Sequence, residues 1–237
     1  MRRKAAAKEL LDGPLDQQTL AANMRDLARI NRWLGGAGLS WRALKPLLRE
    51  RRASQHLRLL DVGTGAADIP RALRRRTAGR DPGLEILATD VRPEIVSIAQ
   101  ETARRSPMFE VVLGTADRID REDNSFDVVH SSLVLHHLEP PEAVELLREM
   151  ARVAARAVIV NDLDRGWRWW AGAWLLTRVA TANRYTRFDG PLSARRAYRP
   201  AELVALAEQA GLVEEARYWA RPPYRYAITF RSNAARP

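Results

Sequence analysis

From Leu57 onward, short β-rich runs alternate with amphipathic stretches, and this rhythm constrains the fold more than any other feature of the chain. Strands are predicted at Arg58–Val62, Glu85–Asp90, Glu110–Leu113, Phe126–Ser131 and Ala157–Asn161. Helices are predicted between them at Ile69–Arg76, Pro93–Arg104 and Pro141–Val153. Such alternation builds βαβ units on a mostly parallel sheet. The connection after Ala116 is shorter and more polar and carries no clear helical pattern. Pro200–Ala210 reads as a helix that opens on proline and closes on Gly211. Leu212–Ala220 and Tyr224–Arg231 follow, joined by "RPP", and two strands so close in sequence must pair antiparallel. The expected class is α/β: seven strands, mostly parallel, ending in an antiparallel hairpin, with helices on both faces.

Two segments lie outside the alternation. Residues 1–56 place Leu20, Met24, Leu27, Ile30 and Leu34 at helical spacing before a stop at "GGAG", and are read as a helical lid on the domain formed by 57–237. Residues 162–199 are rich in tryptophan and arginine and are read as an insertion that shapes an acceptor pocket. At 237 residues and 46% apolar, the chain can bury a sizeable core. It has no cysteine, which excludes disulfides, thiolate metal sites and a cysteine nucleophile. The net charge of +10 comes almost wholly from arginines spread along the chain, a pattern of solvated faces more than of a nucleic-acid patch. "MRRKAAAKELLDG" has no apolar run behind its charges, and "WAGAWLL" is too short to span a bilayer. A cytoplasmic protein without a transmembrane segment is expected.

"LLDVGTGAADIP" (59–70) runs from a strand through Gly63 and Gly65 into a helix. The N–H groups at that helix start could hold an anion. However, a dinucleotide fingerprint would carry a glycine where Asp68 stands, and a P-loop would need a lysine that is missing. Phosphate is therefore disfavoured by charge. Asp61 and Asp90 end neighbouring strands at the sheet edge where ligands bind in such folds. Asp90 suits a ribose diol, since a carboxylate accepts both hydroxyl protons. Asp61 suits an ammonium group, or simply caps its own loop. A ribose, a cationic amino-acid end and no phosphate together describe S-adenosylmethionine.

These stretches, with "ILATDVRPEIVSIAQ", "VVLGTADRID", "NSFDVVHSSLVLHHLEPPEAVELLREMARV" and "GLVEEARYWARPPYRYAITF", resemble the class I S-adenosylmethionine-dependent methyltransferases, in their broad small-molecule group. The resemblance covers about residues 57–230 and implies a Rossmann-like fold. It implies that Asp61, Gly63 and Gly65 hold the methionine half, that Asp90 takes the ribose and that Val91 packs on the adenine. Ala116 would offer its N–H to the adenine ring, and Ser131 its carbonyl to the amino group. Two positions depart from the pattern. Ala67 replaces a loop glycine, which is tolerable if its φ is negative. Thr115 stands where the family has an acid for the adenine amino group, so its hydroxyl, or Asp117, would substitute.

Methyl transfer needs an in-line acceptor and, for a hydroxyl or activated carbon, a base. His136 and His137 follow the fourth strand, and either one supplies the base or the pair only packs and ties the loop. Asp162, at the end of the fifth strand, orients a histidine, accepts a proton or caps a turn. The spacing of Asn161, Asp162 and Asp164 is not diagnostic of a metal, and none is expected. Trp167, Trp170 and Trp174 share one helical face, which either packs on the sheet or, with Trp33, roofs a pocket for an apolar acceptor; a membrane-surface helix is a third reading. Arg195, Arg196 and Tyr198 follow, and an arginine there would bind an acidic group on the acceptor. "RPPY" (221–224) lies in the hairpin bend and is assigned no catalysis. The expected activity is methylation of a small, largely apolar phenolic or polyketide-like acceptor, most plainly at oxygen. Quinone-type C-methylation, RNA methylation and a non-catalytic cofactor-binding role are the alternatives. Nucleic acid is not expected as a partner, and the oligomeric state, homodimer included, is open.

Overall fold

A computed structural model describes all residues except 5, 6, 8, 14, 51–55, 80–82, 105, 116–117, 221–223 and 233–237. After a 3-10 turn at Leu10–Asp12 come α1 (Gln17–Trp33), α2 (Gly36–Arg49), β1 (Leu57–Val62), α3 (Asp68–Thr77), β2 (Leu84–Asp90), α4 (Pro93–Ala103) and β3 (Phe109–Leu113). Then follow β4 (Phe126–Ser132), a 3-10 turn at Leu135–His137, α5 (Pro140–Val153), β5 (Ala154–Leu163), α6 (Trp167–Ala180), α7 (Arg184–Arg196), α8 (Pro200–Gln209), β6 (Leu212–Trp219) and β7 (Arg225–Ser232). The sheet order is β3-β2-β1-β4-β5-β7-β6, and β7 is antiparallel to both neighbours. β1 and β4 are parallel, and the order in which strands are added to the sheet reverses between them, so their C-terminal tips open a crevice at the switch point.

Strand periodicity assigns the two core faces. Leu57, Leu59, Ile86, Val128 and Ile159 pack beneath α2, α3 and α4 through Leu44, Leu73 and Val96. The alternate residues Leu60, Val129, Val158, Ile228 and Phe230 pack beneath α5 and α8 through Leu147 and Leu203. Each such fully buried aliphatic side chain contributes about 1.5–3 kcal/mol.

The predicted alternation is present with small shifts of boundary. β5 is longer than expected at both ends, because its start runs directly out of α5 and its end pairs with β7 as far as Leu163. No helix lies between β3 and β4 among the described residues. The expected N-terminal lid divides into two parts. α1 ends at the left-handed Gly35, and the rest of "GGAG" starts α2. α2 belongs to the core of the sheet, whereas Leu11, Leu20 and Met24 form a separate cluster with Ile95 at the start of α4.

Candidate functional site: the crevice at the strand tips

The apolar rows of the α2 face end in polar residues of the same parity. Asp61 lies in register with His130, and Ser132, next on that face of β4, with Asn161. His130 Nδ1 is 2.5 Å from Asp61 Oδ1, and its Nε2 is 2.8 Å from the Ser40 hydroxyl of α2. The Asn161 amide donates to Ser40 Oγ and to the Gly36 carbonyl. Arg225 is buried in β7 and donates to Asn161 Oδ1 at 2.6 Å, to Asn31 Oδ1 of α1 at 2.9 Å and to Ser132 Oγ at 2.7 Å. Burial lowers the Arg225 pKa, opposed by the charges of Asp162 and Asp68. Asp68 itself is raised by burial, against Arg225 and a hydrogen bond from Asn31. Asp61, expected at the methionine half of the cofactor, is 2% exposed, and its carboxylate is tied into a network that runs to α1.

Asp90 is arranged differently. Its Oδ2 accepts the Gly65 N–H at 3.0 Å and its Oδ1 the Arg92 N–H at 3.2 Å. Of the roughly four lone-pair sites on a carboxylate, two remain. Burial raises the Asp90 pKa, with the Gly65 and Arg92 N–H groups opposing. Gly63 and Gly65 have φ of 70° and 55°, and Ala67 joins them at 57°. The negative φ that would make Ala67 easy is not what the loop adopts. Thr64 N–H donates to the Thr89 carbonyl, so the loop is pinned to the tip of β2 and its turn requires the left-handed residue.

Val91 is exposed beside Asp90. The Thr115 hydroxyl donates to the Arg118 carbonyl, and its oxygen keeps its capacity to accept. Ala116 and Asp117 lie outside the described residues. Ser131 is buried, and its hydroxyl donates to the Val62 carbonyl.

On the opposite parity, Asp162 Oδ1 is 2.7 Å from His136 Nδ1, and Oδ2 accepts the His136 N–H at 3.2 Å. Burial alone would raise Asp162, but the His136 charge and hydrogen bond, the Leu163 N–H and Arg225 hold it below its ordinary value. His137 stacks on His136, with ring centroids 4.3 Å apart. The loop carrying them is clamped by its carbonyls. Arg196 donates to those of His136 and His137, Arg3 to that of Leu138, and the Tyr198 hydroxyl to that of Leu138 as well. Tyr198 and Arg196, expected near an acceptor, are instead buried posts for this loop, and burial pushes Tyr198 up to about 12. Arg195 is half-buried, and its Nε has no partner among the described residues.

The tryptophan stripe does not pack on the sheet. Trp167 is 70% and Trp174 43% exposed, Trp170 is half-buried, and Trp33 at the end of α1 is exposed too. α6 packs instead on α7. Sequence reasoning missed His130, Ser40 and Arg225. The available signal was a polar residue at an apolar parity, as in "DVVH".

Residues 59–156 match the family described as "Methyltransferase domain". This stretch is similar to methyltransferase domains. An uncharacterized methyltransferase of Mycobacterium bovis and one of Mycobacterium tuberculosis are each 29% identical over 113 residues, 46% of this chain and 43% of theirs. The chain thus aligns with less than half the length of these relatives. In fold it is similar to a SAM-dependent methyltransferase from Aquifex aeolicus, with a TM-score of 0.63, 19% identity and coverage of 92% of this chain and 99% of the other. It is also similar to the magnesium protoporphyrin IX methyltransferase of Synechocystis with bound SAH, with a TM-score of 0.54, 14% identity and coverage of 94% and 90%. The loop fits the cofactor: Asp90 has acceptor capacity for a diol, and a Cβ at Gly65 would meet nothing within 4 Å, leaving open space beside it.

Proposed function

We propose that the chain transfers the methyl group of S-adenosylmethionine to an oxygen of a small, largely apolar acceptor, with the histidine pair removing the proton. In this reading Gly63, Gly65 and the Ser131 carbonyl hold the methionine half, and Asp61 acts on it through the network that fixes its orientation. Asp90 takes the ribose hydroxyls, Val91 covers the adenine and Thr115 accepts its amino group. The cofactor supplies an electrophilic methyl; the chain's residues orient, exclude water and move a proton.

The observation that carries the acceptor side is the His136–Asp162 pair at 2.7 Å. Asp162 accepts a hydrogen bond from Nδ1–H and so leaves the Nε2 lone pair as a base. Trp33, Trp167, Trp170 and Trp174 offer apolar surface beside the lid, and the unpaired Nε of Arg195 suits an acidic substituent on the acceptor. This pairing of base and apolar surface favours a phenolic or polyketide-like oxygen over RNA.

Two measurements test the reading. Calorimetry should detect S-adenosylhomocysteine binding below millimolar, and its absence defeats the cofactor assignment. With an accepted phenol, His136→Gln or His137→Ala should lower kcat by more than about tenfold, roughly 1.4 kcal/mol of barrier. A smaller effect from both removes the histidines from the mechanism.

A further inference from the structure

We propose that Glu9, His136 and His137 form a binding site for a divalent transition-metal ion of the zinc class, which would join the N-terminal segment to the acceptor-side loop. No metal was expected from the strand-end acids, and they do not form this group; the carboxylate comes from the N-terminal segment. One ligand atom from each of the three residues lies within 4.8 Å of the others. His136 Nε2 is 3.8 Å from Glu9 Oε1, and His137 Nε2 is 3.9 Å from Glu9 Oε2. These separations are too long for hydrogen bonds. They lie a few tenths of an ångström outside the roughly 3.4 Å that separates two ligands about 2.1 Å from a tetrahedral zinc. A small rotation of either ring would close them on a shared cation.

The surroundings support this assignment. Each imidazole approaches a different oxygen of the same carboxylate. Asp162 holds Nδ1 of His136, which fixes the tautomer with Nε2 free to ligate; a carboxylate behind a histidine is the usual second support of such a ligand. The Ser193 hydroxyl donates to Glu9 Oε1 at 2.7 Å and orients it. Glu9 is 7% and His136 2% exposed, so a cation there would be largely withdrawn from water. Two imidazoles and one carboxylate select zinc, cobalt or iron over magnesium or calcium, and three protein ligands leave a fourth position open. The site shares no residue with the cofactor loop, but it uses the Nε2 atoms of the histidine pair proposed as the base, so a bound ion and a free histidine base exclude one another.

The test uses full-length, untagged protein stripped with a chelator, then titrated with zinc chloride and, in parallel, cobalt chloride. One equivalent should bind with micromolar or tighter affinity. Cobalt should give visible bands of a low-coordinate nitrogen–oxygen site, and zinc should slow tryptic cleavage of the N-terminal segment. Glu9→Gln and His137→Ala should each weaken zinc binding at least tenfold, while the control His56→Ala leaves it unchanged. Both variants should keep their circular dichroism and their S-adenosylhomocysteine affinity, which reports on the cofactor site separately. Should Glu9→Gln loosen the N-terminal segment, His137→Ala decides the matter, because His137 is 32% exposed and tolerates truncation. Absence of stoichiometric zinc binding by the parent chain, or unchanged affinity in His137→Ala, overturns the proposal.

Discussion

A Cβ added at Gly63 would stand 2.4 Å from Val134 Cγ2, at a φ of 70°. Two costs therefore combine at one residue: about 1–2 kcal/mol for a left-handed non-glycine and about 1–3 kcal/mol for overpacking. Gly63→Ala should lower unfolding stability by about 2–5 kcal/mol in denaturant melts, and Val134→Ala in the same chain should recover only the packing part. If the double variant is no better than the single one, the close approach is not what the glycine serves. Asp90 makes a different prediction. Burial raises its pKa, so its contribution to stability is fully present below the ordinary carboxylate value and is lost as pH rises through the raised one. Acidification through that window therefore does not unfold the chain on account of Asp90. Recognition of the ribose needs the ionised form, so S-adenosylhomocysteine affinity should begin to fall above the ordinary value of 3.8 while the fold persists. Asp90→Asn should bind at least about tenfold more weakly, from charge-assisted hydrogen bonds worth about 1.5–3 kcal/mol, and should lose the pH dependence there. Calorimetry across pH, with circular dichroism alongside, checks both statements.

At the scale of elements, the sheet was legible because every strand carries its own apolar period and its own turn residues. "LLDV" and "FDVV" each specify one buried strand, and the short link through residues 221–223 forces the last pair antiparallel. What was not legible depends on register between strands. That Asp61 meets His130, or that Arg225 reaches Asn161, follows only once β1 lies beside β4 and β7 beside β5. Ser40 was hidden for a further reason: α2 looks like any amphipathic helix, and nothing local says that it covers the strand tips. Arg225 links β7 to β5, β4 and α1 and compensates Asp162 and Asp68. Removing one partner from a buried ionic network costs about 3–5 kcal/mol. Arg225→Met should destabilise the chain by about that much in urea melts. Arg225→Lys should not recover it, since a single ammonium on a flexible stem does not reproduce the fork. A loss below about 1 kcal/mol would show that the network does not hold the elements together.

At the scale of the molecule, the 3-10 turn of the N-terminal segment is tied to two distant parts of the fold. Asp189 of α7 accepts the N–H groups of Leu10 and Leu11 at 2.7 and 3.0 Å. Arg92, next to the ribose-side Asp90, donates to the Leu11 carbonyl at 2.6 Å. Leu11 then packs with Leu20, Met24 and Ile95. The 3-10 turn is thus held from the insertion on one side and from the tip of β2 on the other. No helix among the described residues is long and apolar enough to cross a membrane, so the exposed apolar face of α6 does not span one. The expected route of ligand exit passes this turn, with Asp189 controlling its rate. Asp189→Ala leaves two N–H groups unpaired, each worth about 1–3 kcal/mol when buried beside a charge. The expected result is dissociation of S-adenosylhomocysteine about tenfold or more faster in stopped-flow, with a smaller change in the association rate and faster tryptic cleavage before residue 10. Equal dissociation rates in parent and variant would mean that the cofactor leaves by a route the N-terminal segment does not cover.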